Sequence, residues 1–451
     1  MSNYTFPKGF MWGVAGSAFQ MEGAMREGGK CLTATEAAFY DPAQNSRFAD
    51  KRPPDVTCDF YHKYPEDLAL FKDLGVNTFR FSISWSRIIP AIDAEPCQAG
   101  IDYYNRVIDE MLKNGITPFM DLFHSDSPHW VKDNGGAANP EFSNWYLRYA
   151  EVCLREFGDR VKYWSTVNEP KLTIYGPYAR VVGATDEDIV VAVRATQNML
   201  RAHFGTVKML REMWPDAKIG SVHNSSEIYC RSFDPKDIEA AQRSWASQWT
   251  FLDPMVLGHY PEELLAWPKV ADKITEEYRK ELADMFEPMD FCGLNYYCPS
   301  HTRAGDRTHY GTAGFTTELP ADAYPFTNYP AGLQDLLLNL DERYNGMPLI
   351  ITENGYTYKR EDVYDMDISK LQHDIDRELY IREHLRSCGR ALRAGVNLQG
   401  YFYWSAMDCW EGGRGYGYPM GLVGVNFDTL ERVPRDSFYY YQKVIANNMV
   451  D

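Results

Sequence analysis

Two glutamates each close an apolar, β-branched run of this chain. Glu169 follows Val161 to Val167 in the string TVNEP, and Glu353 follows Pro348 to Thr352 in ITENG. A pair of carboxyl groups at one site is the equipment needed to break a glycosidic bond. Either glutamate alone reads equally well as a solvated acid after a strand. Two in matching contexts point to one shared site, because a parallel α/β barrel collects its catalytic groups at the carboxyl ends of its strands.

Other chemistries find less support. The nine cysteines form no CxxC pair, HExxH is absent, and the ten histidines do not cluster with the cysteines at ligand spacing, so a zinc site is disfavoured and neither a metal nor an organic cofactor is expected. The glycines of EGGRGYG (411–417) follow no strand-to-helix start and lack a Lys-Ser/Thr ending, which makes them a tight surface loop instead of a phosphate cradle. With 63 acidic against 46 basic residues the net charge is −17, which argues against nucleic acid and leaves a small neutral or cationic substrate. The opening MSNYTFPKGFMWG has no secretory pattern, and no apolar run approaches a membrane span. With unpaired thiols, this predicts a cytoplasmic protein without a membrane partner; homo-oligomerisation stays open.

The elements that must position the two acids alternate along the chain. Candidate strands lie at 10–16, 77–83, 116–123, 162–168, 218–223, 289–295, 348–353 and 399–405, separated by segments of helical spacing such as Phe142, Trp145, Tyr149, Val152 and Leu154. Eight strand–helix alternations without a linker predict an α/β fold, a single (β/α)8 TIM barrel forming one catalytic domain over 1–451. The rival, an open doubly wound sheet, usually carries a glycine-rich turn after its first strand, and GVAGSAFQMEG does not match one. A barrel requires polar residues at strand ends facing a common pocket. Gln20, Arg80, His124, Asn168, Asn295 with Tyr297, and Trp404 meet that requirement. Singly, Arg80 reads as an ion-pair partner, His124 as a satisfied core histidine and Trp404 as packing. Their recurrence at strand ends is the signal.

The strings FPKGFMWGVAGSAFQMEGA, FRFSISWSRIIP, TVNEP, FLDPMVLGHYP, MDFCGLNYY, ITENG and GYFYWSAMDCWE resemble family 1 glycoside hydrolases, the β-glucosidase family, over nearly the whole chain. The resemblance implies a (β/α)8 barrel and retaining hydrolysis of small β-glycosides, with Glu169 as general acid/base and Glu353, 184 residues later, as nucleophile. It implies that Gln20, His124, Asn168 and Glu411 bind sugar hydroxyls, that Trp404 lies under the ring, and that Arg80, Asn295 and Tyr297 orient the nucleophile. Phe326 falls where the family often has an aromatic platform for the leaving group.

The chain departs from the family at two tryptophans. Ser125 follows His124 where the family has His-Trp-Asp, and Gly412 follows Glu411 where it has Glu-Trp. The side of the pocket near the sugar 3-OH is therefore expected to be wide, with Arg414 reaching toward it, unless neighbouring aromatics refill the space. KLTIYGPYARVVG after TVNEP and GGKCLTATEAAF near the start also differ, which leaves the leaving group unassigned. A 6-phospho-β-glycosidase is the alternative, although Glu411 stands where that branch has serine, and Tyr418 and Met420 occupy the positions of its phosphate-holding residues. A sugar-binding barrel without hydrolysis is the alternative of another class; such proteins commonly lose one acid, and both are present.

Overall fold

Each apolar run pairs with the next along the chain until the eighth returns to the first. The computed structural model describes residues 3–175, 185–302, 304, 328–358 and 371–451. Its barrel strands are β1 (Met11–Gly16), β2 (Thr78–Ser82), β3 (Thr117–Asp121), β4 (Tyr163–Asn168), β5 (Lys218–Asn224), β6 (Phe291–Asn295), β7 (Leu349–Asn354) and β8 (Leu398–Trp404). They form one closed, wholly parallel sheet in sequence order, as expected for a (β/α)8 barrel.

Between the strands run α1 (Phe60–Leu74), α2 (Gln98–Lys113), α3 (Phe142–Phe157), α4 (Asp186–Met213), α5 (Pro235–Leu257), α6 (Pro330–Arg343) and α7 (Ile375–Ala394), and α8 (Asp436–Asn447) follows β8. Each main helix buries an apolar stripe. In α2 the spacing of Ile101, Tyr104, Ile108 and Met111 places all four on the buried face. In α3 Phe142, Tyr149, Val152 and Leu154 are buried and Trp145 half-buried. No helix among the described residues is long and apolar enough to cross a membrane.

The barrel interior is packed. Met11, Phe119, Tyr163, Phe291, Ile350 and Phe402 from six strands form one apolar cluster beneath Trp404 and Tyr297. Phe119 meets Phe291 and Phe402 edge-on at 5.4 and 5.7 Å. Those contacts join strands that are not neighbours in the sheet, so they lie within the barrel. Gly13 makes room for this plug, since a Cβ there would stand 2.3 Å from the Phe402 ring. Polar groups can then gather only above the plug, at the strand ends.

The long connection after β8 is held by a buried ion pair. Arg435 donates to both oxygens of Asp408 at 2.9 and 2.7 Å, and Asp408 also accepts from Gly421 N at 2.9 Å. Burial pushes the Asp408 carboxyl up, but the Arg435 charge and its hydrogen bonds outweigh burial and hold it below the usual range. Replacing Asp408 with Ala should strand the guanidinium and cost about 3–5 kcal/mol, read as a lower chemical-denaturation midpoint. A change below about 1 kcal/mol would mean that the loop is held by other contacts.

Candidate active site

The floor of the pocket is built around Arg80, whose side chain is 1% exposed. It lies in the middle of β2 and not at its end as the strand-end pattern predicts, and its length carries the guanidinium to the level of the acids. One amino group donates to Glu353 Oε1 at 2.6 Å; the other donates to Asp121 Oδ2 and Asn168 Oδ1, each at 2.8 Å. Burial alone would weaken the Arg80 charge, but Asp121 and Glu353 outweigh it and hold its pKa above the ordinary value. The second oxygen of Glu353 accepts from Tyr297 OH at 2.6 Å. Burial, with the charges of Glu353 and Glu169, pushes Tyr297 well up, so it stays a donor. Both oxygens of Glu353 thus face donors, the setting of a carboxylate.

Glu169 sits in different surroundings. Its backbone has φ +51°, in the left-handed region that non-glycine residues avoid, and its N–H donates to Val222 O at 2.8 Å. The β4–β5 register shifts between Ser165 and Asn168, so the chain turns out of the sheet at the acid. Its carboxyl accepts at Oε1 from the side-chain amides of Asn295 at 2.9 Å and Asn224 at 3.1 Å. Burial first, and the charge of Glu353 second, raise its pKa, against the pull of Asn295, Asn224 and His124. No cation pairs with it among the described residues.

Asn168 links the two acids. Its Oδ1 accepts from Arg80 and, at 2.9 Å, from Asn295. This fixes the amide so that Nδ2 points toward His124 Nε2 at 3.3 Å, leaving a donor for a substrate hydroxyl. His124 is oriented by Asp121 at 3.3 Å and stacks on Trp404 with ring centroids 5.4 Å apart and planes at 12°. Gln20 lies in the short turn Ala18–Met21 after β1, where Ser17 Oγ donates to its Oε1 at 2.5 Å. Glu411 arrives seven residues past β8, and Gln20 O accepts from the backbone N–H of neighbouring Trp410 at 3.1 Å. Burial pushes Glu411 up to about 7, against the charge of Arg414 and a hydrogen bond from the Cys409 thiol.

One expectation needs adjustment. Asn295, expected to orient Glu353, directs its amide to Asn168 and Glu169; its Oδ1 accepts from Thr352 at 2.8 Å. The sheet explains this, because the β6–β7 register shifts between Ile351 and Glu353 and turns the glutamate away from its neighbour's amide. Arg414 lies in the turn Gly412–Arg414, with its guanidinium 5.9 Å from the Tyr418 ring centroid. Phe326 lies outside the described residues. At Gly412 (φ +56°) a Cβ would meet nothing within 4 Å.

Sequence reasoning missed Asn224 and Asp121. Both are the last residues of their strands, so the strand-end pattern that singled out Asn168 and Asn295 could have found them. Cys409 carried no such signal. No group of three or more His, Cys, Asp or Glu side chains among the described residues is arranged to hold a metal.

Comparison with known proteins agrees with this architecture. A sequence model described as glycosyl hydrolase family 1 matches residues 2–450. Beta-glucosidase A of Thermotoga maritima is 36% identical over 446 residues, 98% of each chain. The 6-phospho-beta-glucosidase GmuD of Bacillus subtilis is 35% identical over 461 residues, covering 99% of this chain and 98% of its own. A solved family 1 β-glucosidase from Thermotoga maritima matches the whole of both chains with a TM-score of 0.91 at 34% identity. A β-glucosidase from the same organism in complex with glucoimidazole matches at 0.89 and 35% over 99% of each chain.

The raised Glu169 predicts a specific pH profile. A general acid must be protonated, so kcat/KM should fall as pH rises through a value above the ordinary glutamate range. With an activated aryl leaving group, Glu169→Ala should lose that limb. A limb persisting near 7 would belong to Glu411.

Proposed function

We propose that this chain, which belongs to glycosyl hydrolase family 1, removes a terminal β-glucosyl unit with Glu353 as nucleophile and Glu169 as acid and then base, within one catalytic unit spanning 1–451. The observation that carries the proposal is the opposed surroundings of the two carboxyls. Donors from Arg80 and Tyr297 face both oxygens of Glu353, while Glu169 is buried beside that negative charge and has no cation paired with it among the described residues.

The chemistry follows in two displacements. Glu353 attacks the anomeric carbon as the glycosidic bond breaks, and the leaving oxygen takes the proton of Glu169. The ester neutralises Glu353 and removes its repulsion of Glu169, which can then take a proton from water. That water attacks the anomeric carbon from the vacated face and frees Glu353. Asn168, its oxygen already bonded twice, offers its amide N–H to the sugar 2-OH, a contact that strengthens as positive charge grows on the ring. Gln20, His124 and Glu411 supply the remaining polar partners of the sugar, and Trp404 lies beneath it.

The relative that hydrolyses 6-phospho-β-glucosides brings that class forward. Two features weigh against it here. A carboxyl at Glu411 repels phosphate when ionised, and Met420 is buried in the apolar cluster with Trp404 and offers no charge. A barrel that binds sugar without cleaving it would not require two acids in such different surroundings.

Glu353→Gly should lose essentially all turnover and regain part of it with azide, which takes the place of the carboxylate; no rescue would remove Glu353 from the role. Glu169→Ala should slow β-glucosides of poor leaving groups at least about a hundredfold more than activated aryl glucosides, and equal losses would reassign the acid. The open space at Gly412 and the small Ser125 support a pocket that tolerates a substituent at O3. A 3-O-methyl aryl β-glucoside should keep kcat/KM within about tenfold of the parent, and a larger loss would mean that the space is filled.

A further inference from the structure

On the leaving-group side stands a cation without a counter-charge among the described residues. Lys171 is the second residue after Glu169, in the turn Lys171–Tyr175, where Leu172 N and Thr173 N both donate to Glu169 O. Because Glu169 protonates the departing oxygen, this turn borders the leaving group, whereas Gln20, His124, Trp404 and Glu411 follow β1, β3 and β8 and surround the sugar that is retained. Lys171 is half-buried, and among the described residues its ammonium donates only to Ser247 Oγ, at 3.3 Å. Among the described residues no carboxylate pairs with it, in a chain whose acidic residues outnumber its basic ones 63 to 46. Burial with nothing to offset it pulls its pKa down to about 8.

Two further buried donors, one on the residue after Ser247 and one on the residue after Asn224, also lack acceptors among the described residues. Gln248, next to Ser247, spends its oxygen on Ser226 N at 2.9 Å, and among the described residues its buried Nε2 has no acceptor. The buried hydroxyl of Ser225 has no partner either, and it adjoins Asn224, whose amide contacts Glu169. A lysine bonded to a neutral hydroxyl alone, with an amide and a hydroxyl that have no acceptor among the described residues, forms a setting for an anion.

The geometry points to Lys171 as the residue that receives a negatively charged group on the leaving sugar, so that β-glucosides of acidic sugars are favoured substrates. This rests on Glu169 being the acid, since that assignment fixes which side of the pocket is which. An anion brought to Lys171 meets a charge already stripped of part of its water, which strengthens the attraction.

Three disaccharides test the inference: cellobiose, glucosyl-β-1,4-glucuronate, and glucosyl-β-1,4-glucose 6-phosphate with the phosphate on the leaving unit. The wild-type enzyme should cleave at least one acidic substrate with kcat/KM roughly tenfold or more above cellobiose, and the favoured arm identifies carboxylate or phosphate. In Lys171→Met that ratio should fall to about one, and in Lys171→Arg most of it should remain. A wild-type enzyme indifferent to both anions, or a Lys171→Met variant that keeps the ratio, overturns the inference while leaving the hydrolase assignment standing. Absence of cellobiose and aryl glucoside turnover in the wild type would instead strike the functional assignment, and the inference with it.

Discussion

Arg80 is the charge on which the pocket is organised. A guanidinium on top of an aromatic plug, away from water, requires carboxylates and amide oxygens around it, and Glu353, Asp121 and Asn168 supply them. That one requirement orders the rest. Asp121 is placed to orient His124, Asn168 is turned so that its nitrogen faces His124, and Glu353 is aligned between Arg80 and Tyr297. Among the described residues Glu169 has no ion pair and sees Glu353 instead. Two side chains of the same chemical type are thereby given different surroundings by the groups beneath them, which is what the proposed division into nucleophile and acid demands.

The barrel makes this arrangement affordable. Large apolar residues from six strands fill its interior, so the ion pairs occupy a rigid upper layer and cannot sink into the core. Local departures from regular sheet occur where the proposed acids stand: the register shifts next to Glu353, and the backbone of Glu169 adopts a conformation that leads the chain out of β4. Such strain costs about 1–3 kcal/mol and persists only where the surroundings hold it. Here the Glu169 N–H bonded to Val222 and the amides on its carboxyl do so.

Much of the fold was legible in the sequence because barrel strands buried on both faces are dense runs of apolar and β-branched residues, and all eight such runs proved to be strands within a few residues of their expected bounds. The two glutamates were legible because each ends such a run. Side-chain direction was not. Arg80 reaches the site from mid-strand, and Asn295 serves Glu169 instead of its pairing neighbour, because register and side-chain length decide contacts that spacing cannot. Asn224 was hidden in the turn-like string HNSSE. Glu411 stands too far past β8 for any periodicity to place it, and only the family resemblance singled it out. Lys171 passed unremarked since a lone lysine in a loop ordinarily lies in water; its burial, and the lack of a carboxylate partner among the described residues, are visible only in three dimensions.

The central physical claim is that the charge on Glu353 helps to keep Glu169 protonated. Titrating 13C-labelled Glu169 by NMR, in the free enzyme and with Glu353 trapped as its 2-deoxy-2-fluoroglucosyl ester, measures that coupling directly. The free enzyme should show Glu169 above the ordinary glutamate range, and the trapped enzyme should show it shifted down once the neighbouring charge is gone. The same pKa in both forms, or one that rises on trapping, would contradict the account.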